Sequence, residues 1–334
     1  MLLSRRSVTA TLLAGLALAR PGRAQIPAGD VADVPAAIAG LSQLHTLLIQ
    51  QGNDVVFAAS PRGAGPDRAA NIKSCSKSVL ALVLGGVIGQ GKIKLDSRLG
   101  DVAPRLIPAD ATKGVADLTM ADLVTLRAGL AGTSGPDYGA WVGSGNWVTH
   151  ALRRPMVDQP GGRMIYSTGT THVLGAALAV ATGDSLLALA RRHLGGPLDI
   201  DIPAWTRDPQ GYYLGGNEMA MTPRAMLRIA TLMRDQGRYG GRQVIDADWI
   251  NASMVPRTIS PYSGLQYGYG WFLSDSGYVI ARGYGGQMIA AHPQRGLAVA
   301  ITSDPRQPAY SHGYFGDLMR LLEGPILALG TAPA

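Results

Sequence analysis

The chain has 334 residues, of which 46% are apolar and 16% charged, with a mean hydropathy of +0.10. A chain of this length makes one large domain or two and buries roughly three quarters of its unfolded surface, and its composition excludes a disordered, acidic or collagen-like protein. The formal charge of +7 marks no nucleic-acid-binding face: Arg5, Arg6, Arg20 and Arg23 fall in the first 24 residues, where there is no acid, and taking those four from the 30 basic residues leaves 26 against 23 acidic ones, or +3.

Met1 to Ala24 opens with Ser4-Arg5-Arg6-Ser7, runs through an apolar stretch from Val8 to Ala19 and ends on Gly22-Arg23-Ala24, the small residues that a signal peptidase reads. The pattern predicts a secretory signal over residues 1–24. The paired arginines are of the twin-arginine type that exports folded proteins, although Val8 and Thr9 replace the aromatic or Leu residue usual after the pair. The apolar run of about 12 residues is shorter than the ~20 that cross a bilayer, so no membrane span is expected after signal removal and the mature protein is expected to be periplasmic or secreted. Cys75, the single cysteine, has no partner for an internal disulfide.

Two β-type runs, His45 to Gln50 and Val55 to Ala59, flank Gln51-Gly52-Asn53-Asp54 and predict a hairpin. Ala70 to Gly91 follows, with apolar residues three or four apart, and from Val79 to Ile88 it is apolar or Gly all round, which predicts a central buried helix. Helical runs at Leu118 to Arg127, Thr170 to Thr182, Ser185 to His193 and Pro223 to Asp235 alternate with Gly/Pro-rich loops. Four short β-type runs come next (Tyr267 to Leu273, Tyr278 to Ala281, Gln287 to Ala291 and Leu297 to Thr302), and a helical stretch from Tyr310 to Leu329 closes the chain. Strands at both ends with helices between predict an α+β fold. An antiparallel sheet is built from both chain termini (about 25–92 and 240–334), flanked by helices, with a mainly helical insertion at about 93–239.

The chemistry is concentrated where the buried helix begins, at Asn71-Ile72-Lys73-Ser74-Cys75-Ser76-Lys77-Ser78. Ser74 and Lys77 are three residues apart, so on a helix they share a face about one turn apart, within reach for an amine to take a hydroxyl proton. Ser74 falls in the first turn, where free N–H groups and the helix dipole favour developing negative charge. A helix cap and a surface charge would account for the two residues separately. A lysine entering an almost wholly apolar helix, however, loses its hydration for nothing unless it is used. Acting as a base near neutral pH requires its pKa to fall from about 10.4 to roughly 7 or 8, a shift of about 3 to 5 kcal/mol that burial can supply.

Asn71 to Val79, followed by Gly91-Lys92-Ile93-Lys94-Leu95-Asp96, resembles the first motif of the serine β-lactamase-related superfamily, which takes in class C β-lactamases, penicillin-binding proteins and their esterase and amidase relatives. Three later regions agree in order. Leu118 to Leu130 resembles the segment that in relatives ends His-Thr-Ser-Gly-Leu, and Pro160-Gly161-Gly162-Arg163-Met164-Ile165-Tyr166-Ser167-Thr168 resembles the second motif, Tyr-x-Asn or Tyr-Ser-Asn. Met221-Thr222-Pro223-Arg224, Gly268-Tyr269-Gly270-Trp271 and Gly283-Tyr284-Gly285-Gly286-Gln287 resemble the last third, with its Lys-Thr-Gly, His-x-Gly or Gly-Gly motif. The resemblance covers essentially all of residues 25–334 and implies one β-lactamase/transpeptidase-like hydrolase domain. It implies Ser74 as the acylated nucleophile, Lys77 as its base, Tyr166 as the proton relay with Lys77 as the cation that makes its phenol basic, and the main-chain N–H groups of Ser74 and Gln287 as the oxyanion hole. Gly285 and Gly286 would let the strand edge approach the substrate.

Two departures bear on the substrate. Thr168 stands where the second motif has Asn, and Tyr284 where a lactamase or peptidase has Lys or His, so a substrate carboxylate loses its expected cation and a neutral ester or amide gains. Neither of the two glutamates, Glu218 and Glu323, sits in the Glu-x-x-Leu-Asn pattern with which class A enzymes hold a deacylating water. Gly183-Asp184-Ser185-Leu186 matches the block of a separate lipase family, but the Asp-x-x-His near the C-terminus which that family needs is missing, and Asp184 reads better as a helix cap. Cys75 is expected to point into the core, and the six histidines show no metal-ligand spacing. Trp141, Trp147, Trp205, Tyr212 and Tyr213 suit packing at least as well as substrate binding. The expected protein is an exported serine hydrolase of a small-molecule ester, amide or lactam, with no nucleic-acid partner and no cofactor or metal. A β-lactamase or D-alanyl-D-alanine carboxypeptidase, and a non-catalytic ligand-binding member of the same fold, are the alternatives. Oligomeric state leaves no mark in the sequence.

Overall fold

The hairpin closes at Gly52, whose left-handed backbone (φ +54°) is open to glycine at little cost. A computed structural model of the protein describes residues 31–330, so the predicted signal at residues 1–24 lies outside the described residues. In chain order the strands are β1 (Leu44–Gln51), β2 (Asp54–Ala59), β3 (Ala70–Asn71), β4 (Ala220–Met221), β5 (Arg238–Tyr239), β6 (Arg242–Gln243), β7 (Thr258–Ile259), β8 (Gln266–Tyr267), β9 (Phe272–Leu273), β10 (Val279–Gly283), β11 (Gln287–His292) and β12 (Leu297–Ser303). Eight of them form one antiparallel sheet in the order β2-β1-β12-β11-β10-β9-β8-β7. Both ends of the described chain meet where β1 pairs with β12 (Leu47 opposite Ile301), as the α+β reading expects.

Side-chain size alternates along the inner strands. On β12, Leu297, Val299 and Ile301 face the C-terminal helix Tyr314–Leu321, while Ala298 and Ala300 face the other layer. Alanines on that side let the Pro223–Arg234 helix lie close against β1, β11 and β12. Behind it the helix Ser76–Gly89 runs through the core, buried on nearly every side.

Three elements differ from the sequence reading. The buried helix does not run from Ala70: Ala70–Asn71 form β3, Lys73–Cys75 a single tight turn, and the helix itself is Ser76–Gly89. Tyr267 to Leu273 is not one strand: Gly268 and Gly270 (φ +80°) fold it back, so that β8 pairs with β9, Tyr267 opposite Phe272. The closing helix is interrupted at Gly324 and Pro325, where the ring removes a donor from the ladder. At Gly268 a Cβ would run into the main-chain oxygen of Ser253. Gly268→Ala is therefore expected to lower the unfolding free energy by about 1–3 kcal/mol, read as a lower urea midpoint at unchanged slope.

Candidate active site

Ser74 sits just ahead of the buried helix, in a single tight turn (Lys73–Cys75). The turn is possible because Lys73 takes a left-handed backbone (φ +50°), which costs a non-glycine residue about 1–3 kcal/mol. Its neighbours hold it there. Pairing of β3 with β4 brings Asn71 beside Ala220, and Glu218, also left-handed (φ +66°), reaches across. The Lys73 Nζ donates to Glu218 Oε1 at 2.9 Å, Asn71 Nδ2 donates to Glu218 Oε2 at 2.6 Å, and the Lys73 N–H donates to Asn71 Oδ1 at 2.8 Å.

Lys77 follows one turn later and is buried, 3% exposed. Its Nζ lies 3.2 Å from Ser74 Oγ, 3.1 Å from Thr168 Oγ1 and 2.8 Å from the Gly216 carbonyl oxygen. No carboxylate is among these partners, so burial dominates and pulls the ammonium pKa down to about 7. A neutral amine has two hydrogens and one lone pair. Thr168 and Gly216 can take the hydrogens, leaving the lone pair for the Ser74 proton.

Thr168 begins the helix Thr168–Thr182, capped by Ser167, and is oriented by Ser134, whose Oγ lies 3.0 Å from Thr168 Oγ1 and accepts from the Thr168 N–H at 2.9 Å. Gly216 is held from the other side. The His172 ring accepts from the Gly215 N–H at Nδ1 (3.3 Å), so its Nε2–H donates to Asp208 Oδ2 (2.9 Å), and the side chains of both His172 and Asp208 are fully buried. A Cβ on Gly216 would strike Thr171 Oγ1 and stand 3.1 Å from Lys77 Cγ, so only glycine brings this carbonyl to the amine.

Tyr166 closes the third side, with the Lys77 Nζ 4.9 Å from its ring centroid and its phenol beside Ser74. Burial raises the phenol to about 12, outweighing the Ser74 hydrogen bond, so it is protonated at neutral pH. The expected pairing of a lysine cation with a basic phenol is thereby reversed: the amine loses its proton first.

The strand residues sit differently from expectation. Gly283 and Tyr284 line the cleft, whereas Gly286 and Gln287 do not. Gln287 starts β11 opposite Gly283, fully buried, with its side-chain amide bonded to the Ser303 main chain and its carbonyl accepting from Cys75 Sγ at 3.4 Å. The close approach falls at Gly283, where a Cβ would collide with the Ile72 carbonyl oxygen; Gly285 and Gly286 instead press on Asp304 and Tyr314. Neither the Ser74 nor the Tyr284 N–H has a main-chain acceptor among the described residues. Cys75 is buried, which pushes its thiol pKa well above the ordinary range, as the core reading expects. Trp141 and Trp147 pack with Leu214 and edge His172 rather than lining the cleft.

The cleft has a volume of about 750 Å³. Sequence reasoning missed Ser134, Gly216, Glu218 and Arg282, of which Glu218 alone carried a signal, as one of two glutamates in the chain. Among the described residues no single helix is long and apolar enough to cross a membrane.

The depressed Lys77 pKa has a consequence for stability. Between about pH 7 and 10.5 the unfolded chain binds a proton at this lysine that the folded chain does not, so the lysine's penalty is largest at and below pH 7 and disappears as pH rises. Lys77→Met is expected to gain on wild type most near pH 7, and the difference in unfolding free energy should move back toward wild type by pH 9, in urea titrations of both proteins. A difference that does not vary with pH contradicts the depressed pKa.

A family model described as Beta-lactamase matches residues 31–314. Among solved structures the chain is similar to a penicillin-binding protein homologue from Caulobacter crescentus, at 18% identity over 89% of this chain and 97% of that one (TM-score 0.73). It is also similar to EstCE1, a hydrolase with promiscuous acyltransferase activity, at 17% identity over 90% and 100% (TM-score 0.71). A Bacillus anthracis protein provisionally named a 6-aminohexanoate-dimer hydrolase matches at 14% identity over 87% and 81% (TM-score 0.74). At such identities the structural likeness establishes the fold, while the family model, which spans most of the chain, establishes membership: the chain belongs to the Beta-lactamase family and is a serine hydrolase.

Proposed function

We propose that the protein cleaves an ester or amide bond through an acyl-enzyme on Ser74, and that the segment 1–24 directs it to the periplasm or the exterior. The observation that carries the mechanism is the position of Lys77 Nζ, desolvated and within 3.2 Å of Ser74 Oγ, with its other hydrogen-bond partners fixed. Lys77, neutral above about pH 7, takes the Ser74 proton as the oxygen attacks the carbonyl carbon. The protonated Tyr166 passes a proton to the leaving group and is restored through Lys77, and the same groups then activate water against the acyl-enzyme. Charge on the tetrahedral oxygen is met by the N–H of Ser74 and by that of Tyr284, which takes the part expected of Gln287. Each such donor is worth about a hundredfold to a thousandfold in rate.

At residue 284, where lactamases and peptidases carry a cation, this chain has Tyr, which favours an ester or amide over a β-lactam whose carboxylate is read from that position. EstCE1 and the Bacillus anthracis protein carry names consistent with such substrates. A lactamase or carboxypeptidase remains the second reading, and nitrocefin turnover comparable to ester turnover favours it.

Three measurements check the mechanism. A fluorophosphonate probe should label Ser74, as mapped by mass spectrometry, and a label elsewhere overturns the assignment. Lys77→Ala should cut turnover by at least about a hundredfold while retaining the fold. The kcat/KM should rise with pH through about 7, because the base must lose its proton; an activity that is flat from pH 5 to 8 contradicts the assignment of the base.

A further inference from the structure

Arg282 is the charged side chain of the cleft to which the mechanism gives no task. It lies on β10 immediately before Gly283, and its guanidinium leaves the sheet toward the C-terminal helix, 4.0 Å from the Phe315 ring centroid and 5.5 Å from that of Phe272. Its one hydrogen bond among the described residues is from Nη2 to Ser311 Oγ, at 3.2 Å, and no carboxylate of the described chain pairs with it. The other charges at the cleft, Lys73 and Glu218, neutralise each other. Burial lowers the Arg282 pKa to about 10, so the group remains cationic at neutral pH. A guanidinium packed against two aromatic rings, partly stripped of water and without a counter-ion among the described residues, is costly to keep in a fold. Packing alone would be better served by Met or Leu.

We propose that Arg282, with Ser311, forms an anion subsite of the cleft, so that the preferred ester or amide carries a carboxylate a few bonds from its scissile carbonyl. The proposal rests on the hydrolase reading above. It also revises the expectation that losing a cation at residue 284 selects neutral substrates: the cation stands two residues earlier, near the end of β10, on the face that meets the C-terminal helix. A guanidinium fork presents two parallel N–H groups to a carboxylate, and the Phe315 and Phe272 rings it packs against hold the fork in place.

The test uses substrate pairs that differ only in the charge. On the acyl side these are the p-nitrophenyl monoester of glutaric acid and that of glutaramic acid; on the leaving-group side, 3-acetoxybenzoate and 3-acetoxybenzamide. In at least one pair wild type should favour the carboxylate by about 10- to 100-fold in kcat/KM, the worth of a hydrogen bond to a charged group. Arg282→Met should bring that ratio close to one, and Arg282→Lys should restore part of it. Ratios near one in both pairs for wild type, or a preference that survives Arg282→Met, overturn the subsite. Binding of monobenzyl glutarate and its carboxamide to the Ser74→Ala protein, followed by NMR titration, separates the two readings. If wild type turns over neither pair the hydrolase reading fails, yet tighter binding of the carboxylate that Arg282→Met abolishes still supports the subsite, and equal binding of the two ligands overturns it.

Discussion

A primary amine deprived of water is the centre on which the rest of this site depends. Among the described residues Lys77 enters the core without an acid to pair with, and its hydrogen-bond partners are all oxygen atoms: a hydroxyl, a second hydroxyl and a carbonyl, with the Tyr166 ring beside them. A carboxylate in place of any of them would hold the ammonium charged and deny it a lone pair. The three oxygens come from three separate parts of the chain, namely the turn before the helix, the start of the Thr168–Thr182 helix, and the loop that carries Gly216. Their convergence explains why the fold is built around this helix and why so many neighbouring residues are small.

Close approach is the second constraint and follows from the first. Gly216 presents a carbonyl where a side chain would collide with Thr171, and Gly283 lets β10 lie against the Ile72 carbonyl beside the Ser74 turn. The Gly216 loop is backed by a fully buried imidazole and carboxylate, His172 and Asp208, whose hydrogen bonds fix the Gly215 amide one residue away. These two side chains touch no part of the cleft. They set the height of a carbonyl on which the basicity of Lys77 depends, so a polar pair deep in the aromatic cluster acts on the chemistry through one peptide unit.

Ser74, Lys77 and Tyr166 were legible because each is tied to a local pattern: a three-residue spacing on an apolar helix, and a tyrosine after a Pro-Gly-Gly turn. The sheet was legible from its short β-type runs, and the α+β layout from strands at both ends of the domain. What failed was register across a hairpin. Gly283, Gly285 and Gly286 are equally permissive in sequence, and which of them meets the Ser74 turn depends on where β10 ends, which is set by the three-residue loop between Gly283 and Gln287. Tyr267 to Leu273 misled for a related reason, since its alternation continues through two glycines that in space reverse the chain. Ser134 was invisible, and Glu218 marked only by the scarcity of glutamate, because their partners lie far away in sequence, at Thr168 and Lys73.

The Glu218–Lys73 pair shows how an ion pair can matter while contributing little energy. Both side chains are partly exposed, 28% and 21%, so their attraction is screened and contributes at most about 1 kcal/mol. Yet each residue holds a left-handed backbone that a non-glycine side chain resists, and the cost of the two conformations exceeds what the pair returns. What the contact secures is direction. Asn71 ties the same carboxylate to the strand end before the turn, and its side-chain Oδ1 accepts from the Lys73 N–H, so backbone and side chain of Lys73 are fixed by one small network. With Lys73 unable to relax toward the ordinary helical region, Ser74 is kept at the mouth of the helix, its hydroxyl facing Lys77 and its N–H without a main-chain acceptor among the described residues. Strain at the residue before Ser74 is thus the structural cost of presenting a hydroxyl to a buried amine and to an open cleft at once.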